Sequence, residues 1–289
     1  MITVAVVGAG EVGGATAHAL AARDSVGRVL LIDPSAKVAA GKALDIQQAG
    51  AVAGFHTRLE GTDDFTRAIG CAVCVIADRF GSDSSGWAGD DGLAMLGRLV
   101  PLLSGAPLVF AGSRQEELLD RASRELQVSR SRLIGSASEA FRSAVRAIVA
   151  LEAGCSPGDV SVAVLGRPPD GLVVLWSDVS IAGHGIAHRL EPVQITRLET
   201  MVDRLWPPGP YALGLAAAQV AEAITTSSRR TWSVVTALAG EFGVKEGVGI
   251  LPTSLAPRGI AAVFAPELTG RERVSVQTAL NVTATGGRR

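Results

Sequence analysis

The sequence predicts an α/β fold in two parts, a parallel sheet covered by helices and then a region of mixed strands and helices. Three observations lead to this prediction. Short apolar segments alternate with helical segments through the first half, the pattern of a parallel sheet with helices on both faces. A glycine-rich turn joins the first strand to the first helix. From about residue 139 the regular alternation ends, and we place a domain boundary near residue 137.

The first part, residues 1–137, is predicted to alternate strand and helix throughout. Its strands are short runs rich in Val, Ile and Leu, as expected of strands that are buried on both faces. In chain order the predicted elements are a strand, glycine turn and helix in ITVAVVGAGEVGGATAHALAA, strand RVLLID, helix VAAGKALDIQQA, strand HTRLEGT, short helix TDDFTRAIG, strand CAVCVIAD, helix GLAMLGRLVPLLSG, strand APLVFAG, helix QEELLDRASREL and strand RLIGS.

The second part, residues 138–289, is predicted to be a mixed α/β domain. It opens with a long helix that ends at Gly154, because glycine is the preferred residue just after a helix. The predicted elements are helix EAFRSAVRAIVALEAG, strands DVSVAVLG and LVVLWSDVSIAG around an Arg-Pro-Pro-Asp-Gly turn, helices EPVQITRLETMVDRLW and YALGLAAAQVAEAITTSSRRTWSVVTALAG, and short strands in GVGILPTSLAPRGIAAVFAPELT. We expect the final TATGGRR to be loose.

Composition excludes several classes of partner. The 289 residues are 47% hydrophobic and 19% charged, with a formal net charge of −1. A balanced charge does not predict binding to nucleic acid or to a membrane surface. No apolar run reaches the roughly 18 residues of a membrane span, and the apolar first twenty residues lack the basic start of a secretion signal. We therefore expect a cytoplasmic protein.

Three cysteines are too few for a disulfide framework. Cys71 and Cys74 form the pattern CAVC, which is also found in redox proteins. The pattern lies in a predicted buried strand, where positions three apart point to opposite faces. We therefore predict a structural role for both thiols.

A nucleotide-binding pattern follows the first strand. Gly8, Gly10 and Gly13 form G-x-G-x-x-G before a helix, and Asp33 ends the second strand. The first glycine permits a tight turn, the second lets a pyrophosphate approach the backbone, and the third lets helix and strand pack closely. Asp33 suits a ribose 2′-hydroxyl and would repel a 2′-phosphate, which favours NAD over NADP. The pattern predicts a Rossmann dinucleotide-binding domain.

The chain resembles the lactate/malate dehydrogenase family over nearly its whole length. The stretches that carry the resemblance are GAGEVGGATAHALA, LLIDPS, GKALDI, EGTDDF, RLIGSASEAFRSAVR, LEAGCSPGDV and YALGLAAAQVAEAI. The resemblance implies a Rossmann NAD domain followed by a mixed α/β substrate domain, and a homodimer or homotetramer. Further cofactor positions that it implies are Glu11, Val12, Ala77, Arg79 and Gly112.

The residues that the family uses for chemistry are replaced in this chain. The resemblance places Pro168 at the acid–base His, Phe141 at its Asp partner and Ala144 at the Arg that grips the substrate carboxylate. A second family Arg, on a mobile loop, falls near Gly89. Because none of the four replacements can transfer a proton or bind a carboxylate, we expect negligible oxidation of lactate or malate.

Several polar residues near the replaced positions are candidate substitutes. Arg167 and Asp170 flank the lost His and either face a cleft or form a solvated turn. His184 lies in a connection away from the reacting carbon, and the sequence offers no third ligand for a metal site with His188. Arg79 replaces a family glycine and either contacts phosphate or obstructs the site. Trp87 has three possible roles: it lies on a contact surface, it contacts a ligand, or it packs in the core.

Three functions remain open from the sequence. The first is an NAD(H)-binding protein that has lost the family reaction. The second is an active NAD-dependent oxidoreductase that uses Arg167, Asp170 or His184 on a different carbonyl or hydroxy substrate. The third is a structural or regulatory subunit of an oligomer.

Overall fold

The computed structural model describes residues 1–81 and 87–281. Its first half contains six parallel strands in the spatial order 3-2-1-4-5-6. The strands are β1 (Thr3–Val7), β2 (Arg28–Ile32), β3 (Arg58–Thr62), β4 (Val73–Ile76), β5 (Leu108–Phe110) and β6 (Leu133–Gly135). The strand order reverses between β1 and β4, and in open parallel sheets ligands bind at the carboxyl ends of strands at such a point. The predicted parallel sheet is confirmed.

Helices cover both faces of this sheet. The helices of the first half are α1 (Glu11–Ala22), α2 (Ala36–Ala53), α3 (Gly89–Leu99) and α4 (Glu116–Arg124). Successive residues of β1 alternate between two apolar cores: Ala5 and Val7 lie in one, Val4 and Val6 in the other. This alternation follows from the two-residue period of a strand and explains why the strands are apolar throughout.

The second half extends the same sheet with antiparallel strands. Its elements are α5 (Ala137–Ala153), β7 (Val160–Ser161), β8 (Val164–Arg167), β9 (Gly171–Val174), β10 (Ser180–Ile181), β11 (His184–Gly185), α6 (Pro192–Val202), α7 (Pro210–Thr226), β12 (Trp232–Ala237), β13 (Val248–Ala256), β14 (Gly259–Val263) and α8 (Gly270–Asn281). Strand β12 pairs with β6, and β13, β8 and β9 follow outward, with β14 also on β13. A separate small sheet has the order β11-β10-β7.

Some predicted elements of the second half were wrong. The helix predicted across residues 211–240 ends at Thr226, and Trp232–Ala237 forms a central strand. Its Trp, Val and Thr residues have high strand propensity, and Ser227 breaks the helix with a φ of 53°. The strands predicted in DVSVAVLG and LVVLWSDVSIAG are each interrupted. Helix α8 was not predicted, and the TATGGRR segment lies outside the described residues.

The two cysteines of the CAVC pattern do not point to opposite faces. Cys71 precedes β4 rather than lying on it, so the alternation of a strand does not apply to it. Its thiol is a hydrogen-bond partner of the Cys74 thiol, and this bond together with burial raises the pKa of Cys74. Both cysteines are buried and free of disulfides. The pattern still belongs to the core.

A buried ion pair ties α5 to both neighbouring strand regions. Glu139 is 2% exposed and its carboxylate lies 2.9 Å from Nη2 of Arg142. The carboxylate also accepts a 2.6 Å bond from the N–H of Ser233 on β12. Arg142 donates to the carbonyl of Val162, at 3.3 Å. Helix α5 is therefore fixed by charged groups that have little access to water.

Removal of Glu139 should destabilise the protein strongly. In Glu139→Ala, Arg142 keeps a buried charge without its partner, and breaking such a pair costs about 3–5 kcal/mol. Chemical denaturation measures the loss. As a control, Glu125→Ala removes one of the two carboxylate partners of Arg121 at an exposed site and leaves Asp90, so the expected cost is below about 1 kcal/mol. Equal losses in the two variants would contradict a structural role for the buried pair.

Candidate functional site

The glycine turn lies at the carboxyl ends of β1 and β4, where the strand order reverses. Gly8 has a φ of 112°, a conformation that favours glycine. A Cβ at Gly8 would overlap the Asp78 carbonyl, and one at Gly13 would overlap the carbonyl oxygen of Gly8. Two of the three predicted glycines are thus required by close backbone packing.

Asp33 fixes the glycine turn to two neighbouring loops. It is 1% exposed. One of its oxygens accepts N–H bonds from Ala9 at 2.8 Å and from Phe80 at 2.9 Å, and the other accepts from Ser35 at 2.9 Å. The residue predicted to bind a ribose therefore also holds the turn after β1, the turn after β2 and the end of β4 together.

Asp78 lies directly over the start of α1. Its carboxylate accepts 2.8 Å bonds from the N–H groups of Glu11 and Gly13, one on each oxygen. Its main-chain oxygen accepts the N–H of Gly10, also at 2.8 Å. Asp78 is 4% exposed. Sequence reasoning missed this residue, although an acidic residue directly after an apolar strand was the available signal.

The other predicted cofactor positions surround this turn. Val12 and Ala77 are fully buried, whereas Glu11 and Arg79 are exposed. Gly112 follows β5, and its N–H donates a 2.7 Å bond to Oε1 of Gln115.

Two side chains, Trp87 and Lys42, contact residues predicted to bind the cofactor. The guanidinium of Arg79 lies 5.6 Å from the ring centre of Trp87, which is 7% exposed and belongs to the core. Of the three roles weighed for Trp87, the structure shows core packing. Lys42 donates a 2.6 Å bond from Nζ to the carbonyl of Gly10.

The four positions where family chemistry was expected carry unreactive side chains. Pro168 is buried in the turn between β8 and β9. Phe141 is fully buried in α5 and makes an edge-to-face contact with Trp206 at 6.1 Å between ring centres. Ala144 lies one turn further along α5, and Gly89 begins α3 with a φ of 55°.

The arginines next to Ala144 are engaged elsewhere. Arg142 bonds Glu139 and Val162, as described above. Arg146 donates from Nε to the carbonyl of Val160 at 2.9 Å and from Nη2 to that of Pro157 at 2.5 Å. Both guanidinium groups therefore serve the packing of α5.

The three suggested substitutes differ in burial and in their place in the fold. His184 is exposed on β11 of the small sheet, and Asp170 is exposed in the β8–β9 turn. Arg167 is half-buried at the end of β8 and interacts electrostatically with Glu116.

Glu116 is a titratable group that the sequence did not single out. It begins α4 and lines a small cavity together with Gly112 and Gly135. Burial raises the pKa of its carboxyl to about 7, partly offset by a backbone hydrogen bond and by the charges of Arg167 and Arg114. A carboxyl that titrates near neutrality can both donate and accept a proton.

Two general properties of the described ranges bear on function. Across residues 1–81 and 87–281, no three His, Cys, Asp or Glu side chains come together as a metal site. No helix of these ranges has the length and apolar character that crossing a membrane requires.

Comparison with known proteins gives consistent matches. Residues 2–79 match the family model of the lactate/malate dehydrogenase NAD binding domain. Malate dehydrogenase from Thioalkalivibrio sulfidiphilus is 30% identical over 292 residues, which cover 94% of each chain. Malate dehydrogenase from Thermomicrobium roseum is 28% identical over 298 residues, covering 96% of this chain and 94% of the relative.

Solved structures show the same fold. Malate dehydrogenase from Aeropyrum pernix superposes with a TM-score of 0.87 at 21% identity, covering 96% of this chain and 95% of that one. Lactate dehydrogenase from Cryptosporidium parvum, solved with lactic acid and β-nicotinamide adenine dinucleotide, gives 0.86 at 21% identity, with 96% and 94% covered.

These matches confirm three predictions made from the sequence. The α/β fold with a Rossmann-type parallel sheet agrees with the solved structures. The match to an NAD binding domain assigns NAD as the cofactor of residues 2–79. The relatives match along almost the whole chain. This chain belongs to the lactate/malate dehydrogenase family.

Proposed function

We propose that this chain is an NAD(H)-binding member of the family that does not oxidise lactate or malate at an ordinary rate. The observation that carries the proposal is Pro168, which lies buried at the β8–β9 turn where the resemblance puts the acid–base His. Proline has no group that can take the hydroxyl proton of a substrate. Removal of a general base alone lowers enzyme rates by about 10²–10⁴.

The partners of the missing base are absent as well. Phe141 stands at the position of the Asp that would hold an imidazolium, and its ring is part of the core. Ala144 and Gly89 stand at the positions of the two arginines, so neither a bidentate carboxylate clamp nor a carbonyl-polarising charge is supplied there. Four coordinated replacements support loss of the reaction more strongly than any one of them.

The glycine turn supports the cofactor part of the proposal. NAD, when bound, supplies the group that accepts or donates hydride. The glycine turn allows close approach of helix and strand, and Asp33 is held at the end of β2. The glycines therefore fit a dinucleotide, whereas the N–H groups of Glu11 and Gly13 already have a carboxylate acceptor.

A second candidate function is oxidoreductase activity on a different carbonyl substrate. The observation that favours it is Glu116, with its pKa of about 7, close to the positive charge of Arg167. The carboxyl would move a proton and the guanidinium would bind an anionic substrate group. Of the three residues that the sequence suggests for this candidate, only Arg167 is kept here, because Asp170 and His184 are exposed. NADH oxidation over a panel of carbonyl compounds separates this candidate from the first.

We expect no detectable oxidation of NADH by oxaloacetate or pyruvate. The groups that protonate and grip these substrates are replaced by Pro168, Phe141 and Ala144. Absorbance at 340 nm measures the reaction, with an active malate dehydrogenase assayed in parallel. Pro168→His alone should remain inactive, because its imidazole gains neither an Asp partner nor a substrate clamp. Turnover by the unmodified chain that approaches the active control would contradict the proposal.

The Glu116 carboxyl should make stability depend on pH. Its folded pKa of about 7 exceeds the ordinary value of 4.5, so its contribution is fully present below about pH 4.5 and is lost as pH rises through 7. Glu116→Gln cannot ionise, so relative to this variant the unmodified protein should lose roughly 1–3 kcal/mol between pH 4.5 and 8. Urea denaturation at several pH values measures the difference.

The matched control is Glu117→Gln, which changes the exposed neighbour on the same helix turn. Its stability should follow that of the unmodified protein across the pH range. Parallel pH curves for Glu116→Gln and the unmodified protein would show that the Glu116 carboxyl ionises normally, and the second candidate would lose its proton carrier.

Self-association is a third part of the proposal. Helices α1, α2 and α7 share a groove of about 720 Å³. Two apolar side chains that line this groove are exposed, Tyr211 at 83% and Leu215 at 45%. Exposed apolar patches of this kind mark interaction sites, and a second copy of the chain would cover them in the dimer or tetramer implied by the resemblance.

We expect light scattering to show a dimer or tetramer at micromolar concentration. Leu215→Glu should shift the protein toward monomer, because a buried carboxylate at the contact would be unpaired. The control Leu151→Glu alters an equally apolar side chain that is 83% exposed on α5, and it should leave the mass unchanged. A monomer in the unmodified protein, or equal effects of both variants, would contradict association through this groove.

A further inference from the structure

The start of α1 is an anion-binding position that the chain fills with its own residue. The first N–H groups of a helix lack partners within the helix and carry partial positive charge, so they attract anions. In dinucleotide-binding folds the pyrophosphate binds at this place. Here the Asp78 carboxylate takes the N–H groups of Glu11 and Gly13, each at 2.8 Å.

The Asp78 carboxylate lies in the space that Gly10 leaves open by having no side chain. The second glycine of the motif is needed because a phosphate approaches its Cα closely. A Cβ at Gly10 would overlap Cγ and both carboxylate oxygens of Asp78. The clearance that Gly10 provides is therefore filled by Asp78.

Charge makes joint occupancy unfavourable. Asp78 is 4% exposed, so water screens its negative charge poorly, and a pyrophosphate beside it would add further negative charge. Glu11, on the same turn, is also acidic. The nearby cation of Lys42 is bonded to the Gly10 carbonyl at 2.6 Å.

We propose that Asp78 is an internal competitor of the cofactor, and that a dinucleotide binds only when the Asp78 carboxylate leaves the N–H groups of Glu11 and Gly13. The inference rests on the proposed NAD(H) binding and deepens it, since it names the residue that sets the affinity. Asp78 then sets the affinity of the glycine turn for a dinucleotide and is more than a helix cap. A simple cap would stabilise α1 and leave nucleotide affinity unchanged.

The test compares nucleotide affinity in Asp78→Ala and Asp78→Asn with that of the unmodified protein. Calorimetry measures binding of NADH, ADP and adenosine. We expect Asp78→Ala to tighten NADH and ADP at least tenfold, and Asp78→Asn to tighten them less because its amide oxygen still accepts one N–H bond. Adenosine, which has no phosphate, should bind all three proteins equally.

Asp24→Ala is the matched control. Asp24 also accepts two backbone N–H bonds, from His56 at 2.8 Å and Thr57 at 2.9 Å, but it follows α1 at the opposite edge of the sheet. Loss of these bonds should lower the melting temperature in Asp24→Ala as in Asp78→Ala, while nucleotide affinity stays within twofold of the unmodified protein. Because Asp78→Asn is nearly isosteric, it keeps the test valid if Asp78→Ala folds poorly.

The outcomes separate the inference from the proposed function. Unchanged or weaker binding of NADH and ADP in both Asp78 variants overturns the inference, including the case in which no protein binds them. Tight NADH binding by the unmodified protein with no gain in the variants overturns the inference alone. Binding by the variants but not by the unmodified protein supports the inference and overturns NAD(H) binding as the native function.

Discussion

Backbone N–H groups at the carboxyl edge of the parallel sheet need acceptors, and two buried aspartates supply them. Asp33 accepts three such bonds and Asp78 accepts two through its side chain. A buried carboxylate is costly unless hydrogen bonds or opposite charge compensate it, and buried N–H groups are costly without acceptors. The N–H groups stabilise the buried carboxylates, and the carboxylates provide acceptors for the buried N–H groups. The turn after β1, the start of α1 and the end of β4 are fixed relative to one another by this exchange.

The cofactor half of the protein was predictable because its signals are local. The glycine spacing, the acid at residue 33 and the alternation of strand and helix each follow from backbone geometry that neighbouring residues determine. Asp78 escaped notice because its partners lie 67 and 65 residues earlier in the chain. An acidic residue after an apolar strand was the local signal, but it does not reveal that α1 begins beside position 78. The predicted domain boundary at residue 137 coincides with the first residue of α5 and stays a prediction.

The second half was harder to predict for a related reason. No glycine or proline lies between α7 and Trp232–Ala237. The strand propensity of these residues becomes decisive only because the segment pairs with β6 and β13. Glu116 lies in an acidic helix start that would normally be solvated. Its pKa depends on burial against residues of β5 and β6, which only the assembled sheet brings near. Tertiary contacts decide both features.

Phe141 shows how an apolar residue fits at a position where the family resemblance expects a charged one. Buried polar networks are favourable only when every member is satisfied. At residue 141 the chain carries a phenyl ring packed against Trp206, so the core closes over a position where the family resemblance expects a charge. Burial of an aromatic ring contributes a few kcal/mol at no electrostatic cost. The phenyl ring at residue 141 therefore stabilises the core around α5.

The junction between the two halves of the sheet has a consequence for any attempt to study them apart. Strand β6 meets β12 through the pair Gly135 and Val235, and β12 covers its outer side. A fragment that stops at residue 137 would leave the hydrogen-bonding groups of β6 uncovered beside apolar side chains. Exposed strand edges of this kind recruit other chains. The isolated nucleotide-binding half would thus tend to pair with other copies along β6 and aggregate. In the intact chain, β12 covers this edge and prevents such pairing.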